Sequence, residues 1–190
     1  MAPDEFGRYS LVLVAVGLVD VIIFQWLRLV LGRFIPAHRD APQLVQASVL
    51  AVFLVLAIVV VTVGGVLAVL WPDPVIRGLL TLGVPLTIAQ AWIQLDLTLA
   101  SAQLEPARYG RLMGAKSVLA ICFGGLLAWL GFGAYGPLFG LSAGAVLAWL
   151  LFGLPPWRGV RPRWPEKSQL GNYASYGLPL IATFALGWVI

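Results

Sequence analysis

The sequence predicts an all-α fold, a polytopic bundle of membrane helices. The 190-residue chain is 61% hydrophobic and only 11% charged, whereas soluble domains are about a quarter charged. That leaves too few charges to coat a water-facing globule. Its mean hydropathy is +0.94. The apolar residues also fall in continuous runs of about 20 or more, the length a helix needs to cross about 30 Å of hydrocarbon. Barrel strands would alternate instead.

Apolar runs and breakers divide a single domain, 1–190, into five full transmembrane helices and a shorter sixth. The first, 9–34, carries Asp20 and Arg28 and is followed by basic residues, not by a small-residue cleavage site, so it is no signal peptide. The second, 46–70, has no charge. Its stretch "LAIVVVTVGGVLAVL" would suit a buried strand in water; in lipid the backbone must satisfy itself internally, which favours helix. The third spans 75–104, with Pro85 expected to cap or kink it. The fourth, 109–130, and fifth, 134–154, are separated by "GFGAYGP". Both are rich in small residues, among them Gly124, Gly125, Gly140 and Gly144, which let helices approach closely or bend. The sixth, 170–190, holds Pro179 and has about a dozen apolar residues after Gly177, too few to span alone. The chain is therefore expected to be incomplete at both ends.

Basic residues set the expected orientation. Connector 33–42 holds Arg33 and Arg39; 105–116 holds Arg108, Arg111 and Lys116; 157–167 holds Arg158, Arg161, Arg163 and Lys167. These three carry nine of the twelve basic residues, and the positive-inside rule places them in the cytoplasm. Trp71, Tyr135, Trp157 and Trp164 are expected as interfacial anchors. The lone Cys122 excludes an internal disulfide, and the lone His38 sits in a connector. No metal-ligand cluster, phosphate-binding loop or nucleophile motif occurs. Neither a cofactor nor an enzyme is predicted, and the basic balance is read as topology, not as nucleic-acid binding.

The polar residues inside the spans are the candidate site. Thr87, Gln90, Gln94, Thr98 and Ser101 recur at helical spacing on one face of the third segment. Such a stripe either bonds to neighbouring helices or lines a hydrophilic cavity. Asp96 points off it, toward the side of Trp92 and Gln103. In the first segment Asp20 lies roughly 16 Å in from Tyr9, near mid-membrane, where a charge costs about 3 kcal/mol. A role in substrate, proton or sodium handling, or a buried partner, would offset that. Arg28 shares its face but lies two turns on, roughly 12 Å along the axis, and a simple Asp20–Arg28 contact is not expected. Arg28 either snorkels to the inner interface or joins Gln25 in the cavity. The candidate cavity residues are Asp20, Gln25, Arg28, Gln90, Gln94, Asp96 and Thr98.

Three stretches together carry a resemblance: "EFGRYSLVLVAVGLVDVIIFQWLRLVLGRFIP", "ARYGRLMGAKSVLAICFGGLLAWLGFGAYGPLFGLSAGAVLAWLLF" and "NYASYGLPLIATFALGWVI". In that order they resemble the polysaccharide biosynthesis proteins, the Wzx-type oligosaccharide flippases of the multidrug/oligosaccharidyl-lipid/polysaccharide exporter superfamily. The resemblance implies twelve to fourteen helices in two similar halves, of which this chain supplies helices two to six and the start of seven. It implies a bacterial cytoplasmic-membrane transporter of undecaprenyl-diphosphate-linked sugars, working by alternating access for polysaccharide or lipopolysaccharide synthesis. Arg28 would then meet the diphosphate and Gln90 and Gln94 the sugar. Implied partners are membrane lipids, the lipid-linked oligosaccharide and a protein supplying the missing half. Alternatives are a multidrug exporter, a membrane assembly subunit and an envelope glycosyltransferase.

Overall fold

The computed structural model describes residues 3–38, 40–133 and 135–186. Arg39 and Ala134, counted above in a connector and a span, lie outside them, as does 187–190 of the predicted last helix. The described chain is all helical: α1 (Pro3–Ala37), α2 (Pro42–Leu70), α3 (Pro74–Ala102), α4 (Pro106–Trp129), α5 (Tyr135–Phe152) and α6 (Lys167–Leu186), with a 3-10 turn at Pro155–Trp157. Five helices are long and apolar enough to cross a membrane, the makeup of a multi-pass membrane protein.

Five helices begin earlier than their apolar runs, and α2, α3 and α4 do so at Pro42, Pro74 and Pro106. Proline suits the first helical turn, where its missing N–H is not needed and its φ is already helical. At α3 the Asp73 carboxylate accepts from the N–H groups of Val75 and Ile76, at 2.8 and 3.3 Å, capping the helix. Pro85, expected as a cap or kink, lies inside α3, and Pro179 lies inside α6. The early start of α4 sets Lys116, counted with the connector 105–116 though also inside the predicted span 109–130, ten residues, roughly 15 Å, into the helix.

α3 is the spine, packing on α1, α2, α4 and α5, while α6 packs on α1. Phe24, Leu27 and Leu31 of α1 pack with Val49 and Phe53 of α2 and Leu95 and Leu99 of α3 in the largest core cluster. A second cluster joins Val12 and Val16 to Leu79, Leu86 and Leu138. Val12 and Val16 are seated on Gly83, where a Cβ would come within 3.3 and 3.6 Å of them. The Val-rich half of α2 turns Ile58, Val61, Val66 and Val69 outward, the face a helix presents to hydrocarbon.

α4 and α5 pack backbone to backbone. A Cβ on Gly136 would meet Ala128 N at 2.8 Å, and one on Gly144 would meet Ala120 N at 2.7 Å and Lys116 O at 2.9 Å. Gly140 faces Gly124 in the same seam. Of the two expected uses of these small residues, close approach accounts for this row. Between the helices, Gly131 and Gly133 take positive φ, 88° and 53°, turning the chain where other residues would be strained.

Candidate functional site

Two polar clusters lie within the helices. The first lines an open recess of about 750 Å³ between α1, α3 and α6. Asp20, Gln25, Arg28 and Arg33 of α1 face it, together with Gln94 and Thr98 of α3 and Tyr176 of α6. It flanks the C-terminal half of α1, next to the first basic connector. Five of the seven sequence candidates meet here.

Arg28 organises this wall. Its guanidinium donates through Nη1 to both oxygens of Asp20, at 2.9 and 3.2 Å, and through Nη2 to the Gln25 side-chain carbonyl. The expectation that Asp20 and Arg28 are too far apart is therefore corrected. Axial rise separates their Cα atoms, but helical side chains lean toward the N-terminus, so the long arginine arm reaches back two turns. Arg28 is buried and does not snorkel outward. Arg33, one turn further on, stacks its guanidinium 4.2 Å from the centre of the Tyr176 ring, a cation–π contact that ties α6 to α1. The backbones come close at the same place: a Cβ on Gly177 would lie 3.2 Å from Trp26 O.

The stripe on α3 does not line one continuous cavity. Gln94 and Thr98 reach the recess, whereas Thr87 lines an apolar groove of about 320 Å³ between α1, α2 and α3. α1 lines both, the recess with Asp20 and Arg28 and the groove with Val16 and Val19, so it lies across the stripe. Gln90 is among the lining residues of neither. The hydroxyls of Thr87 and Thr98 also donate to backbone carbonyls four residues back, Gly83 O at 2.8 Å and Gln94 O at 2.9 Å, which satisfies them without a ligand.

Asp96 lies elsewhere, in the second cluster. It is 0% exposed. Its Oδ1 accepts from Arg108 Nη2 and, at 2.9 Å, from Trp157 Nε1. Arg108 Nη1 donates to Glu105 at 3.2 Å. The Trp92 ring lies 4.8 Å from the Trp157 ring and 5.7 Å from the Trp149 ring. One carboxylate thus joins α3, α4 and the α5–α6 connector. The connector is fixed again where Arg163 N donates to Ala47 O of α2 at 3.1 Å. Two expectations change here. Asp96 is set apart from the recess, and Trp157 is a buried hydrogen-bond donor, not an interfacial anchor; Trp164, at 57% exposed, remains on the surface.

Sequence reasoning missed Lys116. This residue of α4 is half-buried within the helix. Its signal was the unbroken helical run after Pro106, hidden by counting it with the connector. Among the described residues, no group of acidic, histidine or cysteine side chains could hold a metal ion. Searched against protein-family models, curated proteins and solved structures, the chain matches none.

Proposed function

We propose that the chain forms part of a transporter that carries lipid-linked oligosaccharide, an undecaprenyl-diphosphate sugar, across the bacterial cytoplasmic membrane by alternating access. The observation that carries this reading is the recess: charged and amide side chains gathered at span depth on the open flank of helices otherwise built for hydrocarbon. Ionisable groups there are costly and mark ligand paths. Arg28 and Arg33 suit a phosphorylated headgroup, Gln25 and Gln94 suit sugar hydroxyls, and the apolar groove beyond α1 offers hydrocarbon contact. The resemblance of the ordered sequence stretches to oligosaccharide flippases supports the same reading. So does the concentration of basic residues on one set of helix ends, which by the positive-inside rule favours a recess mouth turned toward the cytoplasm.

A photoreactive undecaprenyl-diphosphate sugar, added to the chain in phosphatidylcholine nanodiscs, tests it. Labelling of peptides containing Arg28 and Gln94, competed by unlabelled lipid and with the sugar recovered unchanged, is the expected result. Displacement by tetraphenylphosphonium instead would point to a multidrug exporter. A processed sugar would point to an envelope transferase, and no labelling would leave an assembly subunit.

A further inference from the structure

The connector between α5 and α6 is held at two points, and both lie below the helix ends. Trp157 reaches Asp96, six residues before the end of α3, and Arg163 N donates to Ala47 O, five residues into α2. Those points are about 9 and 7 Å in along the helix axes. α2 and α3 each have 29 residues, a length of about 43 Å. The hydrocarbon core is about 30 Å thick, and the bilayer with its headgroups about 40–45 Å. Helices of that length, centred across the bilayer, extend about 6 Å beyond the hydrocarbon at each end. Trp157 is therefore sunk at the edge of the hydrocarbon, and the stretch from Arg158 to Trp164 runs at headgroup depth. Gly159, with φ of 81°, turns the chain, and Pro162 and Pro165 restrict it. Arg158, Arg161, Arg163 and Lys167 are all exposed, against one acidic residue, Glu166. Among the described residues the ion pairs belong to Arg28 and Arg108, and these four cations have no carboxylate partner. Trp164 is exposed beside them.

We propose that residues 158–167 form a strap that binds the headgroups of anionic phospholipids. The guanidinium forks of Arg158, Arg161 and Arg163 fit phosphate oxygens two at a time. Lys167 adds a point charge, and the Trp164 indole suits the same layer. A zwitterionic headgroup also offers a phosphate, but its own ammonium cancels the attraction. An anionic headgroup keeps its net charge for the strap, so the strap discriminates between the two. The bonds to α2 and α3 hold the backbone in place before any lipid arrives, and little ordering is lost on binding. Such a strap serves any chain that crosses this membrane, whether or not the recess carries a lipid-linked sugar.

Native mass spectrometry tests it. The full chain is released from detergent micelles holding equal amounts of phosphatidylglycerol and phosphatidylcholine, and the lipids that stay bound are counted. Wild type is expected to retain phosphatidylglycerol over phosphatidylcholine about tenfold. Arg158→Gln, Arg161→Gln and Arg163→Gln combined should equalise the two. Arg77→Gln, at the far end of α3, removes a charge elsewhere and should leave the preference unchanged. The three substituted side chains are exposed, so the variant is expected to melt with wild type. Should it melt early, Arg161→Gln alone is read instead, with the preference expected to fall about threefold. Equal retention of the two lipids by wild type would overturn the strap, as would an undiminished preference in the glutamine variants or an equal loss in Arg77→Gln. Displacement of the bound lipid by millimolar inorganic phosphate would also overturn it, by showing that the connector takes free phosphate and not a lipid headgroup.

Discussion

Trp157 donates its indole N–H to Asp96 across 2.9 Å, joining residues sixty-one positions apart. The same carboxylate oxygen receives Arg108, so one buried anion holds two helices and a connector. Replacing Asp96 by Asn removes the charge that compensates Arg108, which is itself buried. Breaking one side of a buried pair costs about 3–5 kcal/mol. Asp96→Asn is expected to melt well below wild type in detergent, while Asp96→Leu combined with Arg108→Leu recovers most of the loss. An Asp96→Asn protein as stable as wild type would contradict the tether.

The α4–α5 seam gives a steric prediction. A side chain at Gly144 has backbone of α4 within 3.0 Å on three atoms, and that backbone cannot yield cheaply. Gly144→Leu is expected to lose roughly 1–3 kcal/mol, the usual range for overpacking, or to part the helices. Gly125, with nothing within 4 Å of its Cβ position, is the control: Gly125→Ala should be neutral or slightly stabilising. Thermal melts of the two variants side by side decide it.

The split of the α3 stripe separates two glutamines that the sequence treats alike. Gln94 lines the recess and Gln90 does not. Labelling by the photoreactive lipid is expected to fall severalfold in Gln94→Leu and to persist in Gln90→Leu, with both proteins folded. Equal loss in the two variants would mean that the ligand path follows the whole stripe.

Arg28→Lys keeps the charge and loses the fork. A lysine there cannot serve Gln25 and both Asp20 oxygens in one plane. Labelling is expected to drop about tenfold, close to the loss in Arg28→Gln, a factor equivalent to about 1.4 kcal/mol. Full activity of Arg28→Lys would show that only the charge is read.

Leu104, at the turn between α3 and α4, has φ of 59° and is 81% exposed. The left-handed conformation costs a branched residue about 1–2 kcal/mol, and no buried contact offsets it. Leu104→Gly is therefore expected to raise the melting temperature by a few degrees. A lower one would assign Leu104 an interfacial contact that outweighs its backbone strain.

Helix number, type and approximate bounds were legible in the sequence, because length and continuity of an apolar run carry that information directly. Gathering Asp20, Gln25, Arg28, Gln94 and Thr98 at one site was legible too, since polar groups in a span avoid lipid together. The Asp20–Arg28 bond was not: axial rise counts Cα positions and ignores how far an arginine arm reaches. Trp157 was hidden because its composition and place near a helix end look interfacial, and only tertiary packing turns it onto Asp96. The crossing of α1 over the stripe depends on where Val12 and Val16 meet Gly83, a contact that periodicity within α3 does not encode. Lys116 was tallied with a basic connector although the predicted span 109–130 already held it, because the charge count took helix ends and loops together.

The spacing of the partners around Asp96 has a consequence for translation. Arg108 follows Asp96 by twelve residues and Trp157 by sixty-one. At about 5–20 residues per second, the arginine leaves the ribosome roughly 1–2 s after the aspartate and the tryptophan roughly 3–12 s after it. The α3–α4 hairpin can therefore enter the bilayer already neutralised, whereas α3 alone must enter with a bare carboxylate. Nascent chains stalled after Arg108 has cleared the ribosome should retain α3 in the membrane, and chains stalled before it has emerged should let α3 slip back. The connector then fastens last, as a clasp on helices already in place.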